Sequence, residues 1–122
     1  MDLRIKTDGF DITENLDDYV EERLMAIRRL LGPSDAPVRC EVELGRDAGR
    51  PRHGKNIWYA EIQIIRPGGP VIRASNRSES INGAIDDAKA EVERQLRSEK
   101  RVHARMVRRG GAMLKRLLRR SG

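Results

Sequence analysis

Four segments of the chain alternate apolar and polar residues, which is the pattern of half-buried β-strands. They cover residues 2–7, 38–44, 57–66 and 71–75. The sequence PGGP at 67–70 predicts a hairpin turn between the last two strands. Three consecutive strands joined by loops indicate an antiparallel meander, and we expect the first strand to join it by way of a helix.

Two other segments repeat apolar residues every three or four positions, as on one buried face of a helix. We expect the first helix to follow Thr13 as N-cap and to end at Gly32-Pro33, and the second to begin after Ser78 as N-cap. The apolar faces comprise Leu16, Val20, Leu24, Ile27 and Leu31 in the first helix, and Ile81, Ile85, Ala88, Val92 and Leu96 in the second. The predicted fold class is α+β in the order β-α-β-β-β-α, with both helices on one face of a four-stranded sheet, like a double-stranded-RNA-binding domain.

Charge divides the 122 residues into two parts. Residues 100–122 hold nine of the 25 Lys and Arg residues and no Asp or Glu, whereas residues 1–99 hold 16 basic and 19 acidic residues, a net charge of −3. We therefore expect a domain over residues 1–100 and a basic, flexible C-terminal extension over 101–122. Gly110-Gly111 is expected to break this extension before a short amphipathic segment. Such basic extensions usually meet nucleic acid.

Composition indicates the type of core and the cellular location. The length fits one domain, and aromatic residues are only 3% of the chain, so the core must be aliphatic. The sequence contains no apolar run of about 18 residues and no apolar signal region at its start, so we expect no membrane span and a cytoplasmic location. The single cysteine, Cys40, lies at an inward strand position, where a small core residue is a better interpretation than a nucleophile.

The sequence offers little support for catalysis. His53 and His103 have no partner at metal-ligand spacing, and the glycines of loop 45–56 lack the Lys-Ser/Thr ending of a phosphate-binding loop. The acidic residues that open the first helix fit a solvated helix start better than a calcium loop. Trp58 is expected to pack in the core, although an exposed Trp could stack on a base. We expect no enzyme, no metal, no cofactor and no small-molecule substrate.

Several short matches resemble the bacterial ribosome-hibernation proteins, namely the hibernation promoting factor and the ribosome-associated translation inhibitor. The matching pieces are Ile12-Thr13-Glu14 with Leu16, Arg23-Leu24, Ala74-Ser75, Ala84-Ile85 and Glu93-Arg94-Gln95-Leu96. Their order and spacing hold across residues 1–100. The sequence departs from the family at Ser80-Ile81-Asn82 and at Glu91, where the family usually has Asp-Met-Tyr and a lysine. About twenty residues follow the domain, which resembles the short form of the family.

The resemblance implies a protein that lodges in the small ribosomal subunit, overlaps the mRNA and tRNA positions of the decoding region and silences idle ribosomes. We expect the free protein to be a monomer, because the predicted open face of the sheet is mostly charged. Its partner would be the subunit and its rRNA, bound through shape and phosphate contacts. The candidate rRNA-binding residues are Arg23, Arg28, Arg94, Arg97, Lys100, Arg101, Arg105, Arg108 and Arg109. Arg23, Arg28 and Arg94 have an equally good interpretation as helix-surface residues paired with nearby Glu.

Two other functions stay open at this point. One is a generic double-stranded-RNA-binding module, although residues 78–87 lack the basic cluster that usually opens the last helix of such a module. The other is an interaction protein that uses the amphipathic segment 112–120 on a membrane or a partner helix.

Overall fold

A computed structural model describes residues 1–33, 37–47 and 54–120 of the chain, with side chains through residue 111. The elements are β1 (Asp2–Asp8), α1 (Glu14–Leu31), β2 (Arg39–Arg46), β3 (Trp58–Ile65), β4 (Ile72–Ser78) and α2 (Ile81–Arg120). This order confirms the predicted β-α-β-β-β-α sequence of elements. Residues 48–53, the middle of the predicted loop 45–56 with His53, lie outside the described residues.

The four strands form one mixed sheet in the order β1-β2-β3-β4. The pairs β2-β3 and β3-β4 are antiparallel, as the predicted meander requires. β1 runs parallel to β2, with Leu3 opposite Cys40 and Ile5 opposite Val42. A parallel neighbour needs a long crossover between the two strands, and α1 supplies it.

The core lies between one face of the sheet and the two helices. It is aliphatic, as the composition predicts, and Cys40 belongs to it. Burial raises the pKa of the Cys40 thiol to about 12, and the neighbouring Glu41 adds to the effect, so the thiol stays protonated near neutral pH. The buried side chains are Val20, Leu24, Ile27, Cys40, Val42, Leu44, Ala60, Ile62, Ile64, Ile72, Ala74, Ala84, Ile85, Ala88, Val92 and Leu96.

Both predicted ends of α1 are confirmed. Thr13 is the N-cap, and its hydroxyl oxygen accepts a hydrogen bond from the Leu16 N–H at 3.2 Å. Gly32 is the C-cap with φ +75°, a left-handed conformation that glycine adopts without a steric penalty. Its N–H donates to the carbonyls of Arg28 and Arg29 at 3.2 Å each, so the last turn is closed.

The predicted start of α2 is wrong by two residues. Ser78 still pairs with Trp58 as the last residue of β4, and the capping role passes to Ser80. The Ser80 hydroxyl accepts a hydrogen bond from the Gly83 N–H at 3.0 Å, and its carbonyl accepts the N–H of Ala84 at 3.1 Å. Continued strand pairing therefore moves the start of the helix to Ile81.

The predicted break at Gly110-Gly111 is also wrong, because α2 continues through both glycines to Arg120. Neither glycine has a positive φ. Each costs a helix only about 1 kcal/mol relative to alanine, and the neighbouring residues favour a helix. The flexibility of residues 101–122 stays a prediction, as does the amphipathic segment 112–120, whose side chains lie outside the described part of the chain. No helix within the described ranges is long and apolar enough to cross a membrane.

Candidate nucleic-acid interface

Five arginines lie along one exposed face of α2: Arg94, Arg97, Arg101, Arg105 and Arg108. With 3.6 residues per turn, they fall within an arc of about 80° and extend over about 21 Å. The buried residues Ala88, Val92 and Leu96 lie on the opposite side of the same helix. We call these five arginines the basic stripe. The packing of the first part of α2 directs Arg94 and Arg97 toward solvent, and the other three arginines lie where the helix has no packed side.

Acidic neighbours accompany only the first part of the basic stripe. Glu91 accepts two hydrogen bonds from Arg94, at 2.5 and 2.8 Å, and Glu93 accepts one from Arg97 at 3.3 Å. The contact with Arg94 lowers the pKa of Glu91 and raises the pKa of Arg94. From residue 100 onward the sequence has no Asp or Glu. The positive potential of the face therefore increases toward the C-terminal end of α2.

Lys100 and Arg109 flank the basic stripe. The Lys100 ammonium group donates to the carbonyl of Leu30 near the C-terminus of α1, where a cation complements the helix dipole. One residue earlier, Glu99 accepts hydrogen bonds from Arg66 at 2.8 and 2.9 Å. These two contacts attach this part of α2 to the end of α1 and to the residue that follows β3. Beyond them, every described side chain of residues 101–111 is exposed. Lys100 is thus a structural contact as well as a candidate ligand.

Arg23 lies where α1 meets α2. Its Nε donates to Asp86 at 3.1 Å, and its guanidinium stands 4.5 Å from the centre of the Tyr19 ring. Within α1 its acidic neighbour is the adjacent Glu22 at 3.9 Å, not a Glu three or four residues away, and the shorter contact is to Asp86 of the other helix. The Arg23 side chain keeps 36% of its surface exposed, so it can still meet a phosphate beside α2.

Arg28 lies apart from the other candidates. Five residues separate it from Arg23, which turns it about 140° around the axis of α1. It lines a hollow with Met1 and Leu3 on the β1 side of the helix. The structure therefore brings all the predicted cations except Arg28 onto the side of the molecule formed by α2 and its seam with α1.

The open face of the sheet has balanced charge. Arg39 pairs with Glu41 at 3.2 Å and Arg73 with Glu61 at 3.8 Å, so its cations are partly neutralised. Such a face attracts a polyanion less than the basic stripe does. Its basic residues are Arg4, Lys6, Arg39, Arg73 and Arg77, and its acidic residues are Asp2, Asp8, Glu41, Glu43 and Glu61.

The acidic start of α1 does form a cluster. Carboxylate oxygens of Asp17, Asp18 and Glu21 come within 4.8 Å of one another, on residues that are exposed or half-buried. Successive helical turns bring these residues together, and the helix dipole stabilises acids at this end. The arrangement agrees with the predicted solvated helix start. His103 is exposed on α2.

A hollow at the start of both helices was not predicted from the sequence. It is lined by the aromatic residues Phe10, Tyr19 and Trp58 together with Leu16, Asn15 and Asn82, and we call it the aromatic hollow. Trp58 is half-buried, so neither core packing nor full exposure describes it. The sequence held one signal for this hollow. Phe10 follows a turn and Trp58 begins a strand, and residues at the ends of elements often lie at the rim of a core.

The α+β domain thus carries one continuous arginine face on its second helix, a surface whose charge suits a polyanion. Residues 3–103 match the family described as "Sigma 54 modulation protein / S30EA ribosomal protein", and the chain belongs to this family. The resemblance deduced from sequence is therefore confirmed. This description names a modulation protein and a ribosomal protein, and it names no enzyme.

Two relatives support this assignment, and a third protein shares the fold. The ribosome hibernation promotion factor of Deinococcus radiodurans is 36% identical over 91 residues, which are 74% of this chain and 44% of that protein. The chain thus spans less than half the length of this curated relative. The N-terminal domain of Thermus thermophilus Protein Y is 29% identical with a TM-score of 0.62, covering 79% of this chain and 96% of that domain. A ribosomal subunit interface protein from Coxiella burnetii, 20% identical, shares the fold with a TM-score of 0.64, over 82% and 98% of the two chains.

Proposed function

We propose that the chain is a ribosome-associated translation inhibitor that binds the small subunit near the decoding region and blocks the mRNA and tRNA positions of idle ribosomes. Family membership supports ribosome association, and the relatives named for ribosome hibernation and for the subunit interface support the regulatory role. The ligand is rRNA in its folded form. A ribosomal ligand also agrees with a cytoplasmic location.

The basic stripe is the single observation that carries this proposal. Each arginine that meets a phosphate releases a condensed counterion, and this release drives association at low salt. A guanidinium also donates two parallel hydrogen bonds to a phosphate, which fixes orientation. Contacts of this kind recognise the shape of the RNA backbone and require little reading of base sequence.

The part of α2 beyond residue 100 allows the proposed inhibitor to contact rRNA at a distance from the sheet. Counted from Arg101 to Arg120, the helix is about 30 Å long, and its first half carries no carboxylate that could repel RNA. We propose that the body docks through Arg23, Arg94 and Arg97 while the extended part of α2 lies along the mRNA path. In this arrangement the protein acts as a monomer.

Co-sedimentation with separately purified ribosomal subunits tests the proposal. We expect saturable binding of one copy to the small subunit, little binding to the large subunit, and competition from initiator tRNA with mRNA. A double-stranded RNA of unrelated sequence is the control for a generic duplex-binding module, and anionic lipid vesicles are the control for a membrane-binding segment. Equal binding to unrelated duplex and small subunit, or binding to vesicles alone, would contradict the proposal.

A further inference from the structure

The aromatic hollow gathers a residue type that is rare in this chain. The sequence has four aromatic residues in all, and three of them line this one space of about 460 Å³. A volume of this size lies within the usual range for small-ligand sites, about 300–1,000 Å³. The hollow is formed by the loop after β1, the first turns of α1 and α2, and the first residue of β3.

The aromatic rings are held in place and still reach the surface. Phe10 and Trp58 pack in a T-shaped arrangement, with ring centres 5.2 Å apart and planes at 81°. The Arg46 guanidinium stands 5.4 Å from the Trp58 ring centre, and Tyr19 is fixed by its hydrogen bonds to Asp86. All three rings are half-buried, whereas the buried core is aliphatic. The rings thus offer a fixed apolar surface that a planar ligand can contact.

The rim of the hollow favours a neutral polar ligand. Asn15 and Asn82 are exposed there, and among the described residues neither side-chain amide has a hydrogen-bond partner. An amide can donate to one atom of a nucleobase edge and accept from another. Asp11 also lines the hollow, and its carboxylate opposes a phosphate at the same place. The combination suits the base of a nucleotide better than its phosphate.

We propose that the aromatic hollow binds one unstacked nucleobase of a single-stranded RNA segment. Such segments are read by stacking on aromatic rings and by hydrogen bonds to the exposed base edges. The inference rests on the proposed rRNA binding and adds a base-contacting site to it. Asn82 and Arg94 are about 18 Å apart along α2, and Arg23 lies between the hollow and the basic stripe, so one strand can reach both.

Trp58 is the only tryptophan of the chain, so its fluorescence reports on this hollow directly. The probes are single-stranded oligouridylate and oligoadenylate of about eight nucleotides, an abasic oligomer of the same length, and the two mononucleotides. We expect saturable quenching by a base-containing oligomer and none by the abasic oligomer. Equal quenching by the abasic oligomer, or no quenching by any probe, overturns the inference. Mononucleotides that bind as tightly as the oligomers overturn the assignment to RNA.

Two substitutions localise the effect. Asn82→Ala removes an exposed amide and should weaken base-dependent quenching about three- to tenfold. Phe10→Ala removes a ring and should weaken it roughly five- to 150-fold. Gln63→Ala, which removes an amide on the opposite face of the sheet, is the matched control and should change nothing. Full quenching with Asn82→Ala and Phe10→Ala overturns the site.

Co-sedimentation with small subunits separates this inference from the proposed function. If wild-type protein sediments with the subunit but Trp58 shows no base-dependent quenching, the aromatic hollow is not a base site and the proposed function stands. If the protein does not sediment with the subunit, the proposed function fails, and base-dependent quenching then assigns the hollow to another single-stranded RNA.

Discussion

The phenol of Tyr19 donates to both carboxylate oxygens of Asp86 at 2.8 Å, which joins α1 to α2 across 67 residues of sequence. Because Asp86 also accepts from Arg23, this one carboxylate sets the positions of both the Tyr19 ring and the Arg23 guanidinium. The contact links the stability of the body to the geometry of the proposed interface.

Tyr19→Phe should lower the free energy of unfolding by about 1 kcal/mol, because it removes one hydrogen bond to a charged group while keeping the ring. Chemical denaturation measures this difference. Tyr59→Phe is a matched control. The Tyr59 hydroxyl lies 3.3 Å from a carboxylate oxygen of Asp8 and of Glu43, which is longer than the 2.8 Å of the Tyr19 contact, so removing this hydroxyl should lower the free energy of unfolding by less. A Tyr19→Phe protein as stable as wild type would contradict the role of this contact.

Gly45→Ala should destabilise the fold by roughly 1–3 kcal/mol, as overpacking does in general. The ring of Tyr59 crosses the surface of Gly45, and a Cβ at that position would overlap it, with ring carbons only 2.0 Å away. Thermal or chemical denaturation measures the loss. Gly69→Ala is the control, because the nearest atoms there are 3.8 Å away, at ordinary contact distance. The double variant Gly45→Ala/Tyr59→Ala should lose less than the sum of its single changes, and strict additivity would refute the overlap.

Gly110→Ala combined with Gly111→Ala should increase helix content, because both residues lie inside α2 and a methyl group at either would meet, among the described side chains, no atom within 4 Å. Each replacement favours the helix by about 0.5–1 kcal/mol. Far-ultraviolet circular dichroism measures the change. A chain that is truly broken at these glycines would instead gain helix only slightly and keep a flexible C-terminal segment.

Glu91→Gln should strengthen RNA binding at low salt, because it releases Arg94 from its carboxylate partner and removes a negative charge beside the basic stripe. The slope of log affinity against log salt concentration should become steeper by up to about one, because one more counterion is released. Glu41→Gln removes the same charge from the Arg39 pair on the open sheet face and is the control. Equal effects of the two substitutions would mean that only net charge matters.

Local signals predicted most of the fold. Alternation located the strands, Thr13 and Gly32 located the ends of α1, and each of these depends on residues near in sequence. The start of α2 could not be settled in this way, because Ser78 and Ser80 are both suitable caps. Pairing of Ser78 with Trp58, twenty residues earlier in the chain, decides between them.

The continuity of α2 was visible in the sequence but was outweighed by the two glycines. Val102 and Met106 lie four residues apart, which is helical spacing, and no proline interrupts residues 81–120, so the helical pattern continues past the predicted boundary at residue 100. The three- and four-residue spacing of the five arginines is likewise visible in the sequence and was not used to predict one face. The separation of Arg28 from Arg23 follows from their five-residue spacing within α1. The grouping of Phe10, Tyr19 and Trp58 depends on how the elements pack, which no local pattern encodes.

Binding of charge variants to purified small subunits across a salt series tests the central claim most directly. Arg101→Gln/Arg105→Gln removes two cations from the basic stripe, and Arg4→Gln/Arg73→Gln removes two from the open sheet face. We expect the first variant to lose at least about tenfold in affinity at low salt, and the slope of log affinity against log salt concentration to fall by about two. The second variant should keep an affinity within about twofold of wild type. Equal losses in both variants, or none in the first, would contradict the assignment of the RNA-binding face to α2.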